Sequence, residues 1–226
     1  MKKTILLLVA STMLFSNEFE DEYVKKDNQE DLFKSYNEVM TSFNNGVYTE
    51  VFDPISNVYK FIIPETPRDC ISNFFNNLMF PIRFVNNLFQ FKLINSLEET
   101  ERFVINTTLG FGGIIDIAKN DLGIKQHNED FGQTLGFYGI PSGEHIVLPI
   151  LGPSNVRDIF GLAGDYVLNP VNYVNNKESL ILTVEYNLND LPKSMENYNI
   201  LTKDAIQLYP LLKETYESYR LKEIKN

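Results

Sequence analysis

The residues that most site chemistry depends on are scarce in this chain. Its 226 residues hold one cysteine, Cys70, two histidines, His127 and His145, and no tryptophan. A single cysteine excludes an intrachain disulfide framework and a thiolate zinc cluster, and two histidines supply a multi-histidine metal site poorly. Positive charge is short as well: 20 Lys and Arg stand against 30 Asp and Glu, a formal net charge of -10. A surface of that sign repels phosphate backbones and argues against nucleic acid as a partner. The apolar run from Thr4 to Phe15 falls short of the ~20 residues that span a bilayer. What is present is 43% hydrophobic residues with 22% charged ones, the balance of a folded chain, rich in Phe and Tyr.

Met1-Lys2-Lys3 is a short basic start, and the apolar run after it gives way beyond Ser16 to Asn17-Glu18-Phe19-Glu20-Asp21-Glu22. This is the layout of a secretory signal peptide over residues 1–16. The expected organisation is that signal, an acidic polar lead-in over 17–30, and a single helical domain over 31–226 with an amphipathic C-terminal helix. No cysteine follows the apolar run before Cys70, so the expectation is an exported protein without an N-terminal acyl chain.

Apolar positions 32/33, 36, 39/40, 43, 47 and 51/52 fall on one helix face, and Asp53-Pro54 is read as the end of that helix. Pro64 and Pro67 are read as a loop. Ile71 to Phe91 carries Phe74, Phe75, Leu78, Met79, Ile82, Val85, Leu88 and Phe89 between asparagines 73, 76, 77, 86 and 87, with Arg83 its only charge and Pro81 as a kink. Water-facing helices normally carry Lys and Glu on their outer face. Two readings fit: a core helix covered on both sides, or a helix lying in a membrane interface with its uncharged polar face toward a protein-lined passage. A second helical block is expected over Glu98 to Ala118, through Gly110-Phe111-Gly112-Gly113. The Gly- and Pro-rich stretch Phe131 to Pro153 reads as loops with a short hairpin around Gly139 to Gly143. Ser154 is the expected N-cap of a helix reaching Asn169-Pro170. The tail Asp204 to Lys225 reads as a helix interrupted early by Pro210.

No arrangement points to a catalytic residue, a metal site or a bound cofactor. Gly110 to Gly113 matches no nucleotide-binding loop, and neither Ser142 nor Ser154 stands in a nucleophile elbow. His145, within a Val/Leu strand, reads as a partly buried structural histidine, and His127, in a polar loop, as a solvated one. Asp116 lies between Ile115 and Ile117, where a charge needs a partner. Arg83, Arg102 and Arg157 are the candidates. Arg157-Asp158 near a helix start reads as structural.

The block Arg102 to Ala118 (RFVINTTLGFGGIIDIA) resembles the signature of the MlaA (VacJ) family, as do Phe131 to Gly139 (FGQTLGFYG), Leu148-Pro149 and Gly152 to Asp158 (GPSNVRD). Asp53-Pro54, Pro67-Arg68, Ser72 to Phe74, Asn77-Leu78 and Pro81 follow the same pattern upstream. The resemblance covers about Asp53 to Asn169. It implies a mainly α fold, a ring-like arrangement of amphipathic helices with a short hairpin loop, lying in the inner leaflet of the outer membrane on its periplasmic face. The implied function is a non-enzymatic phospholipid conduit. It removes misplaced phospholipids from the outer leaflet and passes them to a soluble periplasmic carrier (MlaC-like), which maintains lipid asymmetry, with a trimeric porin as a further implied partner. Gly139, Ile140, Pro141, Ser142 and Gly143 match the family's channel-controlling loop; a rigid turn is the other reading of these residues. Two other classes remain open on the sequence. A soluble periplasmic lipid carrier would purify without detergent, and an exported hydrolase would show activity on an ester panel.

Overall fold

The computed structural model describes residues 31–225. The expected signal peptide and acidic lead-in, residues 1–30, lie outside the described residues. Lys34 N–H donates to the Asp31 carbonyl at 3.1 Å, and the packed unit begins at Ser35. Its architecture is mainly helical, as expected. Helices α1 (Lys34–Val47), α2 (Asp53–Ile62), α3 (Glu65–Leu78), α4 (Phe80–Phe89), α5 (Leu93–Thr108), α6 (Ile117–Asn120) and α7 (Phe131–Phe137) precede a hairpin of β1 (His145–Leu148) and β2 (Gly152–Asn155). Helices α8 (Val156–Leu168), α9 (Asn176–Thr202) and α10 (Leu208–Lys225) follow it.

Several proline readings change. Asp53-Pro54 does not end the first helix: Tyr48–Phe52 widen into a π-turn and Pro54 enters the first turn of α2, where its missing N–H costs nothing. Pro67 likewise sits in the first turn of α3, so the expected loop shrinks to Ile63-Pro64. Pro81 separates α3 from α4 at Met79 rather than kinking one helix. Pro210 lies in the first turn of α10 and interrupts nothing.

One expected loop is a helix. Phe131 to Phe137, read as loop, is α7, started by a capping box in which the Asp130 side chain accepts from Gln133 N–H at 2.8 Å and the Gln133 side chain from Asp130 N–H at 2.6 Å. Gly132 suits α7 because α8 crosses there: a Cβ on Gly161 would lie 2.6 Å from Gly132 N. The hairpin turn is Pro149 to Leu151, not Gly139 to Gly143, which lead into β1. The N-cap of α8 is Asn155, not Ser154; its side-chain Oδ1 accepts from Asp158 N–H at 2.9 Å.

The strands pair antiparallel, His145 opposite Asn155 and Leu148 opposite Gly152. The free edge of β1 is closed by side chains of α1. Asn37 donates to His145 O and accepts from Val147 N, at 2.9 and 2.8 Å. Asn44 does the same with Leu148 O and Ile150 N, at 2.9 and 2.7 Å. Seven residues of helix rise about 10.5 Å, close to the about 10 Å of a three-residue step along a strand. Two amides on one helix face therefore act as a third strand along the outer edge of β1.

That contact illustrates an inverted interior. Among the described residues the buried hydrophobic side chains are Phe75, Ala118, Val147, Val171, Met195 and Tyr209, against 24 buried polar or charged residues. In α4 the inward side chains are Arg83, Asn86 and Asn87, while Leu88 and Phe89 stand outside at 40% and 46% exposure. In α1 they are Asn37, Thr41 and Asn44, with Val39 and Phe43 outside. The buried amides are almost all bonded: Asn87 donates to Arg83 O and His127 O, Asn106 to Asp116, and Asn189 to Arg68 O and Ser72. Polar groups so satisfied replace apolar packing as the determinant of a unique arrangement. Among the described residues no helix is long and apolar enough to cross a membrane.

Candidate functional site

A cavity of about 550 Å³ opens among α3, α4, α7, α8, α9, α10 and the segment before α7. One part of its wall is apolar (Met79, Ile82, Leu162, Leu182) and the other is charged (Arg83, Glu129, Asp130, Asp165, Arg220). Helix start and helix end each position one charge. Asp130 caps α7, and Arg220 from the last turns of α10 grips it through Nη1 and Nη2 at 2.5 and 2.9 Å. The same guanidinium reaches Asp158 in the first turn of α8 through Nε and Nη2, at 2.9 and 3.0 Å. Tyr216 Oη donates to Asp158 at 2.7 Å, and Arg157 Nε at 3.0 Å. Burial alone would raise the Asp158 carboxyl; the bonds and charge of Arg220, then of Arg157, outweigh it and hold it below the ordinary value.

Asp165, two turns further along α8, is treated differently. Its Oδ1 accepts from Phe131 N–H at 3.0 Å and from Asn86 Nδ2 at 3.2 Å. Burial, reinforced by the Asp130 charge, raises its carboxyl to about 6. Because the folded value lies above the unfolded one, ionisation of Asp165 costs stability. That cost is absent below pH 4, grows as pH rises from about 4 to about 6, and is constant above; two pKa units correspond to about 2–3 kcal/mol. Asp165→Asn keeps an acceptor for both partners. We expect its stability advantage over wild type, followed by chemical unfolding in detergent, to grow from near zero at pH 4 to about 2 kcal/mol at pH 7. A pH-independent difference would contradict this assignment.

The other sequence candidates fall in several places. Met79 and Ile82 line the cavity. Phe75 is a core residue, 1% exposed, with its ring 5.3 Å from Tyr186, whereas Phe74, Leu88 and Phe89 are exposed and Leu78 and Val85 half-buried. The one helix of the sequence reading thus divides into core and outward positions. Asp116 finds Arg102 at 2.7 Å and Asn106 at 2.8 Å, away from the cavity; burial raises its carboxyl, and these bonds bring it below the usual value. Arg83 pairs with Glu99 instead, at 2.7 Å. Arg157 and Asp158 support Arg220. His145 is more fully buried than expected, and its Nδ1 lies 2.9 Å from Glu217. His127 is half-buried rather than solvated and meets Glu98 at 2.6 Å. Gly139 to Gly143 do not line the cavity; they join α7 to β1, with positive φ at Gly139 (80°) and Gly143 (67°). Among the described residues no group of His, Cys, Asp and Glu is arranged to hold a metal.

Sequence reasoning missed Asp130, Asp165 and Arg220. Asp165 carried the same signal as Asp116: a lone carboxylate in an apolar run, Ile159 to Leu168. Arg220, one of several charges in the C-terminal helix, carried none.

These features define a helical protein with a polar interior, an apolar exterior and an amphipathic cavity. The family model for the MlaA lipoprotein matches residues 29–223, and the chain belongs to that family. It is 31% identical over 168 residues to the "Intermembrane phospholipid transport system lipoprotein MlaA" of Haemophilus influenzae, covering 72% of this chain and 66% of that protein. Over 138 residues it is 33% identical to the protein of the same name from Escherichia coli K12, 60% and 55% of the two chains. An uncharacterized protein of Rickettsia prowazekii is 32% identical over 149 residues; the match spans 66% of this chain and 59% of that protein. The matches thus reach less than two thirds of the length of these relatives. A chain solved in work on the "Structural basis for maintenance of bacterial outer membrane lipid asymmetry" superposes with a TM-score of 0.76 at 25% identity, over 87% of this chain and all of the other.

Proposed function

We propose that this protein is a phospholipid conduit at the periplasmic face of the outer membrane. It takes misplaced phospholipids from the outer leaflet and hands them to a soluble periplasmic carrier, without covalent chemistry. The observation that carries this reading is the inversion of polarity: outward apolar faces suit hydrocarbon, and a polar interior with an amphipathic cavity suits a head group passing through protein. A water-borne lipid carrier needs the opposite, a polar outside and an apolar pocket for acyl chains. Two of these relatives are named lipoproteins, and the one cysteine within these 226 residues is Cys70, inside α3. Attachment in this reading rests on the helix faces, at about 1.5–3 kcal/mol per fully buried large side chain, with a trimeric porin as a further proposed partner. Comparing outer-leaflet phospholipid in cells with and without the protein tests the proposal. Accumulation without it is expected, and unchanged lipid asymmetry would refute the conduit.

Gly139 to Gly143 are proposed as the loop that controls passage. They tie the end of α7 to the start of α8: Gly139 N–H donates to Gly136 O at 2.9 Å and Arg157 N–H to Ser142 O at 3.0 Å. Both helices wall the cavity, so a change in the loop moves two walls. A Cβ on Gly139 meets nothing within 4 Å, whereas one on Gly143 would meet Val156 at 3.0 Å. Gly139→Val therefore meets no clash at Cβ, and its main cost is left-handed backbone strain, at least about 1–2 kcal/mol for a β-branched residue. It should impair lipid removal while the protein stays abundant at the membrane; normal asymmetry at normal abundance would remove the loop from the mechanism.

A further inference from the structure

The charged wall of the cavity is unbalanced in a specific way. Of its five charged residues, four are matched by ion pairs. Arg83 pairs with Glu99 and Glu129 with Lys92, at 2.7 and 2.6 Å. Asp130 shares Arg220 with Asp158, which Arg157 also contacts, so two carboxylates meet two guanidinium groups. Asp165 is left with neutral partners, Asn86 and the Phe131 amide, and no ion pair among the described residues. An anionic head group entering this space would add to a negative charge that no ion pair neutralises and that Arg220 offsets only in part. A head group that brings a positive charge would neutralise it.

A second feature places a phosphate beside that charge. Arg83 lines the cavity, and its guanidinium donates to Glu99 through Nε. The Nη groups therefore keep the geometry that suits phosphate oxygens. Arg83 and Asn86 stand three residues apart on α4, neighbours across one helical turn of about 5.4 Å, and Asn86 is the residue that holds Asp165. A cationic and an anionic group thus line one cavity, as the two charges of a zwitterionic head group require.

We propose that the cavity selects zwitterionic phospholipids with a primary amine, the phosphate at Arg83 and the ammonium at Asp165, over anionic phospholipids. A primary ammonium suits the carboxylate because it donates hydrogen bonds as well as charge. This inference rests on the conduit reading and adds the class of lipid carried. The test uses the full chain reconstituted into vesicles of equal parts phosphatidylethanolamine and phosphatidylglycerol, re-extracted in detergent, with retained lipid quantified by mass spectrometry. The wild type should retain the amine-bearing lipid several-fold over the anionic one. Asp165→Asn, which preserves both acceptor bonds, should bring the ratio to that supplied while thermal stability is unreduced. Arg83→Gln should lower total retained phospholipid several-fold. Retention at the supplied ratio by the wild type, or an unchanged ratio in Asp165→Asn, overturns head-group selection but leaves the conduit standing. A wild type that retains no phospholipid overturns both.

Discussion

Arg220→Ala is expected to be the most damaging single truncation in the molecule, costing about 3–5 kcal/mol. The side chain is 8% exposed and is held by two carboxylates, Asp130 and Asp158, that belong to two different helix starts. Removing it leaves both near each other and near Asp165 with Arg157 as the remaining counter-charge. It also frees α10 from α7 and from β2, against which it packs. Arg220→Lys keeps the charge, but a single ammonium does not reproduce four hydrogen bonds to two acceptors, so most of the loss should remain. For a chain of this size each kcal/mol shifts Tm by about 2–4 °C, and the drop should be near 10 °C. Lys222→Ala, an exposed neighbour, is the control and should stay within about 0.5 kcal/mol. If Arg220→Ala and Lys222→Ala melt together, the network is not what fixes α10.

The second large effect separates fold from membrane attachment within one stretch of sequence. Phe75→Asp places a charge where exposure is 1%, beside the Tyr186 ring. It forfeits about 1.5–3 kcal/mol of burial and adds the penalty of an unpaired buried carboxylate, so no folded protein should be recovered. Phe89→Asp changes a side chain that is 46% exposed. Its fold should survive in detergent with nearly native helix content by circular dichroism, while the fraction bound to vesicles falls several-fold. Equal vesicle binding by folded Phe89→Asp and wild type would show that the outward face of α4 does not meet lipid.

Hydrophobic periodicity located several of the helices but not the inside of the protein. In α4 the apolar positions repeat at helical spacing, and so do Arg83, Asn86, Asn87 and Gln90 on the other face. A periodic pattern says that two faces differ; the surrounding medium decides which one turns inward. The uncharged character of the polar face was the legible hint, since amides tolerate burial where Lys and Glu do not. Helix α9, 27 residues long, escaped because its apolar residues are scattered: Leu180, Ile181 and Val184 are exposed, and Pro192 and Met195 buried. For α7 the capping box Asp130/Gln133 was readable, but two glycines in seven residues masked it. The pairing of Asp116 with an arginine was anticipated because a charge in an apolar run needs a partner; of the three candidates it is Arg102, 14 residues away on the preceding helix. Asp130 and Arg220, 90 residues apart, meet only through tertiary packing, which no local pattern encodes.

An interior filled by amides and carboxylates also sets how this protein should respond to temperature. Unfolding raises heat capacity through newly wetted apolar surface and lowers it through newly wetted polar groups. Here the share of polar groups released from the interior is unusually large, and much of the apolar surface already faces outward. The heat-capacity increment per residue should therefore fall below the usual ~12–15 cal/mol/K. A small increment flattens the stability curve, so that cooling weakens the fold little and a broad span of temperatures leaves it almost equally stable.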